Sequence, residues 1–237
     1  MVDQTDLMED VPEAEDAGAN RRGVVDYVFR HVRDGVLGGY YVPGQRLIEA
    51  DVTRELKVSR GPVREAFRRL SSEGLVETIP NRGAQVRRLS RREMMELFQI
   101  RGSLEVLAAS LAAERCQDAE VRSEFQAETS SIWRDVSRSP GQGYIQENNQ
   151  FHDAIVVASG NEQLLKLTRQ QRLPMIMYQL YGSITLESIA DSLKEHRLMA
   201  TAILRGDSTE AAAVMAAHLK RASHVSEKMP SRHFQPD

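Results

Sequence analysis

Cysteine is almost absent from this chain of 237 residues, with Cys116 the one example. A lone cysteine excludes an internal disulfide and any zinc site built from several cysteines, and a reducing cytoplasm is the simplest compartment. Apolar runs are short as well. None reaches the ~18 residues of a membrane span, so no membrane partner is expected. The first twenty residues, MVDQTDLMEDVPEAEDAGAN, lack an apolar h-region and do not read as a secretory signal. Strand signals are scarce beyond Ser90, and no short-period repeat is visible. Catalytic motifs are missing too. There is no HExxH, no serine or cysteine nucleophile motif, and no carboxylate evidently placed as a general base.

What is present is an ordinary globular balance of 41% hydrophobic and 27% charged residues, enough for one large domain or two smaller ones. The formal charge of −3 conceals an uneven distribution. Residues 1–20 hold seven acids and no base, and read as a disordered acidic tail. Residues 21–92 hold sixteen Lys and Arg against eight Asp and Glu, whereas the remainder is acidic. A basic block of seventy-odd residues beside a larger acidic one suggests a nucleic-acid module joined to something else.

Periodicity divides the basic block into helix, helix, helix and hairpin. Val25, Val28, Phe29, Val32 and Val36 recur at helical spacing over 24–37, and GGYYVPGQ at 38–45 is a turn by composition. A short helix over Glu49–Lys57 places Ile48, Val52 and Leu56 on one face. A third runs from about Pro62 to Glu73, with Pro62 in the first turn and Gly74 as its stop. Two β-rich runs then flank Asn81-Arg82-Gly83. This is the order of a winged helix-turn-helix over 21–89. On the third helix Val63, Ala66, Phe67 and Leu70 face a core, while Arg60, Arg64 and Arg68 form another row. Guanidiniums there suit a major groove, since arginine forks onto guanine O6 and N7. Charge alone fits a solvated amphipathic helix equally well.

From Ser90 the pattern is helical: 91–116, then roughly 118–138, 144–159, 162–182, 187–205 and 208–228, with short loops between. An all-helical antiparallel bundle over 90–229 is expected, followed by a flexible tail at 230–237. Asp207 and Glu210 make a start resembling a capping box, and Pro174 should kink its helix. Met94, Met95, Met175, Met177 and Met199 read as adaptable packing and Trp133 as core or interface packing. Tyr178 and Tyr181 are open candidates for a cavity lining.

The string PGQRLIEADVTRELKVSRGPVREAFRRLSSEGLVETIPNRGAQV at 43–86 resembles the N-terminal domain of the GntR family of bacterial transcription regulators. Its pieces are Pro43-Gly44, Leu47, Glu49, Ser59-Arg60, Pro62 to Ala66, Arg69-Leu70, Glu73 to Leu75 and Pro80 to Gly83. The resemblance implies DNA contacts from Arg60 and Arg64 and places Gly83 at the minor groove. Ser59, Arg68, Asn81 and Arg82 join that candidate set. So does Thr53, in a Val52-Thr53 pair where the family usually has Leu-Ala, with its hydroxyl expected to turn outward. The contact that some relatives make at Ala50 is not carried over.

The helical block resembles the FadR-type branch of the family, the one with an FCD effector domain. The matches are Arg101 and Glu105 in IRGSLEVLAASLAA, NNQFHDAIVVASGN at 148–161, and EHRLMATAILRGDSTEAAAVMAAHL at 195–219. That resemblance implies a divalent metal held by Asn148, His152, His196 and His218, zinc first, with nickel or manganese open. Asn148 stands where aspartate is commoner, so this ligand set brings no charge. His31, His224 and His233 match nothing and are expected at the surface. Arg101 is the candidate contact for a small organic acid, or else a salt-bridge partner of Glu105 at i+4.

The expected function is that of a ligand-responsive, metal-dependent repressor, a cytoplasmic homodimer that reads a palindromic operator in double-stranded DNA. No enzymatic activity is expected. The alternative is a metalloenzyme on a helical bundle with an accessory DNA-binding domain, since three imidazoles could leave an open place for water.

Overall fold

A computed structural model describes residues 14–37, 40–79, 82–170 and 184–235. The chain divides into two compact units, one holding residues up to 36 together with 41–87, the other 37–40 and 88–237.

The first unit opens with α1, Ala14–Leu37. Its apolar stripe is the expected one, and Val28, Phe29, Val32 and Val36 are buried. The helix nevertheless starts ten residues earlier than its apolar pattern. Residues 14–20 are therefore helical rather than part of a disordered tail, and residues 1–13 lie outside the described residues. Ala14, Glu15, Asp16 and Ala17 suit such a start, because alanine favours helix and acids favour the positive end of its dipole.

Helices α2, Glu49–Leu56, and α3, Arg60–Ser72, follow, then strands β2, Val76–Ile79, and β3, Gly83–Val86. The wing has one strand more than the sequence suggests. Arg46–Leu47, β1, pairs antiparallel with β3 through Arg46↔Gln85 and Leu47↔Ala84, which gives the order β1-β3-β2. Two residues are too few to show alternation, so only the pairing reveals this strand. Inside α3, Pro62, Val63, Ala66, Phe67 and Leu70 are buried, as their spacing predicts.

The second unit is helical. It comprises α4, Arg91–Arg115; α5, Ala119–Glu128; α6, Gln142–Ala158; α7, Glu162–Gln170; α8, Leu186–Leu204; and α9, Ser208–Glu227. Ser90 caps α4 in a full capping box with Glu93, and Asp118 caps α5. Asp207 accepts from the Glu210 amide at 2.9 Å, but the Glu210 carboxylate bonds Arg205, so only half of that box forms. The 118–138 run breaks after α5. Thr129 turns its hydroxyl back onto Phe125 O, and a 3-10 turn over Ser130–Trp133 follows. Pro174, Met175, Met177, Tyr178 and Tyr181 lie outside the described residues.

Ala108, Ala109, Ala112 and Ala113 line the buried side of α4. Their small side chains let α6, α8 and α9 approach it and bury Phe151, Ile155, Met199, Ile203, Met215 and Leu219. Trp133 is not part of this core and is 45% exposed. The C-terminal segment is not a free tail through Gln235. Phe234 is buried, the Arg91 guanidinium stacks 4.3 Å over its ring, and the Gln235 amide donates to Leu89 O. An apolar anchor and a backbone bond hold a stretch whose polar composition reads as loose.

Candidate DNA-reading helix and candidate metal centre

Arg60, Arg64 and Arg68 are exposed along α3, opposite its buried face. Arg64 Nε donates to Glu49 Oε2 at 2.8 Å, and Arg68 Nη1 to Glu65 at 2.8 Å. Ser59 is the exposed N-cap residue of α3, and its side chain makes no capping bond. Arg82 is exposed on the wing. Gly83 has φ +96°, and a Cβ there would lie 2.4 Å from Leu47 O, so the close pairing of β3 with β1 requires glycine. Two expectations change. Thr53 does not turn its hydroxyl outward: Oγ1 is buried and has no hydrogen-bond partner, because α2 faces that side chain toward the domain interior. Asn81 lies outside the described residues.

In the helical unit four elements converge. Helix α4 brings Arg101 and Glu105, α6 Asn148 and His152, α8 Ser192, Glu195 and His196, and α9 His218 and Arg221. All three histidines are buried, and one nitrogen from each falls within 4.8 Å of the others. Ring centroids are 5.2 Å apart for His152 and His196, 5.2 Å for His152 and His218, and 4.9 Å for His196 and His218. Phe151 stacks on His196 at 4.2 Å and closes one side. Asn148 is buried one helical turn before His152.

Two of the imidazoles are backed by carboxylates. Glu105 Oε2 lies 2.6 Å from His152 Nδ1, although the two are not aligned as a regular hydrogen bond. Glu105 also accepts from Arg101 Nε at 2.5 Å, so the i+4 ion pair does form. Glu195 Oε2 lies 2.7 Å from His218 Nδ1, and the same carboxylate takes a bidentate pair of bonds from Arg221 at 2.6 and 2.7 Å. Each relay runs arginine, glutamate, histidine.

The charges follow from these contacts. Burial alone would raise the Glu105 carboxyl, but Arg101 and then His152 outweigh it and hold the group well below the usual carboxylate range. Burial also opposes ionisation of Glu195, yet bonds from His218 and Arg221 bring it to about 2. Burial pushes His196 far down, aided by the neighbouring His218 and His152. It lowers His218 to about 4 in spite of Glu195. Near neutral pH His196 and His218 are therefore uncharged. An ionised Glu195 fixes the His218 proton on Nδ1 and leaves Nε2 as a lone-pair donor.

Buried polar atoms normally find partners, yet Asn148 Nδ2 and His152 Nε2 have none here. An imidazole nitrogen without a partner, close to two further imidazoles, suits a divalent cation, and His152, His196 and His218 could hold one, with the Asn148 amide oxygen able to join them. A small cleft, partly open to solvent, adjoins the cluster. Arg101, Arg221, Tyr144, Ser192 and His218 contribute to its wall. Arg221 and Tyr144 are not singled out by any sequence signal, and Glu195, although it opens the matched 195–219 segment, meets His218 and Arg221 only through the packing of α8 on α9. Of the other histidines, His224 is exposed, whereas His31 is half-buried against Glu55 at 3.1 Å and Tyr41.

A winged helix-turn-helix with an arginine-bearing third helix, followed by a helical domain with a buried polar cluster, is the architecture of a DNA-binding regulator. The family model for bacterial regulatory proteins of the gntR family matches residues 25–86, and that for the FCD domain matches 96–221. The chain belongs to the GntR family of transcription regulators and carries an FCD domain. It is 35% identical over 133 residues to the Nta operon transcriptional regulator of Aminobacter aminovorans, spanning 55% of this chain and 61% of that one. It is 25% identical over 198 residues to the transcriptional repressor GlaR of Escherichia coli, spanning 81% and 90%. Among solved structures, a GntR regulator from Rhodococcus sp. RHA1 superposes with a TM-score of 0.68 at 22% identity, covering 87% of this chain and 99% of that one. E. coli McbR/YncC does so with 0.64 at 21%, covering 86% and 96%. These two show a shared fold. Among the described residues no helix is long and apolar enough to cross a membrane.

Proposed function

We propose that this regulator is a metal-dependent, effector-responsive repressor. The observation that carries the reading is the convergence of His152, His196 and His218 in the helical core, with buried Asn148 one helical turn from His152. Asn148 and the three imidazoles would hold a divalent cation, zinc by preference over nickel or manganese. When bound, the cation supplies a positive charge that the neutral ligand set does not cancel. The adjoining cleft presents Arg101 and Arg221 from its wall, so the effector is a small organic acid whose carboxylate takes guanidinium bonds. Tyr144 and Ser192 offer hydroxyls to the same ligand.

The protein acts as a homodimer on a palindromic operator, since a single wing domain makes few base contacts and a two-fold pair doubles them. It works in the bacterial cytoplasm, where the DNA lies. The relative GlaR is named a repressor, which favours repression here, with the acid releasing the protein from DNA. The effector changes DNA affinity only through its preference between two arrangements of the dimer, and a coupling of about 1–3 kcal/mol is a usual size.

The test is elemental analysis of gently purified protein, with about one divalent metal per chain expected. His196→Ala and His218→Ala should abolish it, whereas Asn148→Asp should retain or tighten it by adding charge. Metal content indifferent to the loss of His152, His196 and His218 in turn would return the histidines to a structural role. Thermal shifts across a panel of organic acids, with and without chelator, then find the effector.

A further inference from the structure

Arg64 on α3 and Glu49 on α2 meet at 2.8 Å through Nε and Oε2. A carboxylate is out of place here. The same surface carries Arg60 and Arg68, and a negative charge on it opposes the phosphate attraction that supplies non-specific affinity. Glu65 beside Arg68 is an ordinary pair on one helix face, both side chains more than half exposed. Glu49 differs: it is only 26% exposed, and it joins two helices.

Its contact with Arg64 is directional. Glu49 engages Nε, the inner edge of the guanidinium, and leaves Nη1 and Nη2 at the far end to fork onto a guanine. An arginine already held in one orientation loses less rotamer freedom on binding. The backbone of Glu49 is fixed from the other side. It is the first residue of α2, two residues after Leu47, whose strand β1 is paired with wing strand β3 through Leu47↔Ala84. Glu49 thus stands where the chain leaving the wing's paired strand enters α2 and reaches across to the reading helix.

We propose that Glu49 is a specificity-determining positioning residue, which aims the Arg64 guanidinium at its base and couples that aim to the seating of the wing. It rests on the reading that Arg64 contacts DNA, and one arm of the test examines that reading alone. The probes are a duplex selected from a random pool by the wild-type protein and a shuffled duplex of the same composition. Affinities for both are measured for the wild type, Glu49→Ala, Arg64→Ala and the double variant, with melting curves as a check on folding.

Arg64→Ala should lower the ratio of selected to shuffled affinity by about tenfold or more, the size of one good base contact. Glu49→Ala should lower that ratio by a similar factor while shuffled binding stays equal or tightens, because a repelling charge is gone. A fold defect would instead weaken both duplexes. The double variant should be no worse than Arg64→Ala. If Glu49→Ala melts early, Glu49→Gln replaces it in the cycle and should lower the ratio about threefold, since a neutral acceptor bonds Nε more weakly than a carboxylate. An unchanged ratio in Arg64→Ala overturns the contact itself. An unchanged ratio in the Glu49 variant alone, or losses that multiply in the double variant, overturns the positioning role.

Discussion

Glu195 reaches from α8 to α9, where its Oε2 lies 2.7 Å from His218 Nδ1 while Arg221 clamps the same carboxylate in a bidentate pair. The imidazole is thereby oriented from behind with its other nitrogen facing the histidine cluster. Outer partners of this kind typically govern affinity by 10–100-fold. Glu195→Gln should weaken divalent metal binding by about that factor without unfolding the protein, read by competition against a chromogenic chelator. Unaltered affinity in a folded variant would show that the carboxylate does not support ligation.

Glu105 is 0% exposed, so water cannot take the place of Arg101 beside it. Removing one charge of a buried pair strands the other. Arg101→Ala is expected to cost about 3–5 kcal/mol in urea unfolding, more than a surface arginine would. A loss under 1 kcal/mol would mean that His152 alone suffices to hold Glu105. This cost also makes Arg221→Ala the cleaner probe of the cleft, because Glu195 is partly exposed.

Gly83 combines φ +96° with a clash of any Cβ against Leu47 O. Gly83→Ala should destabilise the winged domain by about 1–3 kcal/mol, combining left-handed strain with separation of β1 from β3. Calorimetry of the variant beside Gly102→Ala, where added Cβ meets nothing, isolates the effect. Equal melting temperatures for the two variants would contradict it.

Operator affinity should fall with salt as cations leave the phosphates, with a slope set by the number of contacts. Arg64→Ala should cost about 1–3 kcal/mol on a selected duplex, whereas an alanine at a phosphate-binding arginine should mainly flatten the slope. Filter binding at several ionic strengths separates the two. An affinity loss in Arg64→Ala that vanishes at high salt would make its contact electrostatic rather than base-specific.

Much of the architecture is determined by the sequence alone, because its signals are local. The stripe Val63, Ala66, Phe67, Leu70 has one spacing and becomes one buried helix face, and alanine-rich α4 can only be a packed helix. The family's motifs likewise name His152, His196 and His218. Tertiary structure decides what lies between elements. Strand β1 exists only because β3 pairs with it, and Phe234 is held only because Arg91 and Leu89 receive it. The outward turn expected for Thr53 fails because rotation of α2 is set by packing, which a helix period of 3.6 residues leaves free. Glu195 with His218, and Glu49 with Arg64, are contacts across 23 and 15 residues of chain. No short-range pattern encodes such pairings. They follow from which helix faces bury together, and that is settled by the whole core at once.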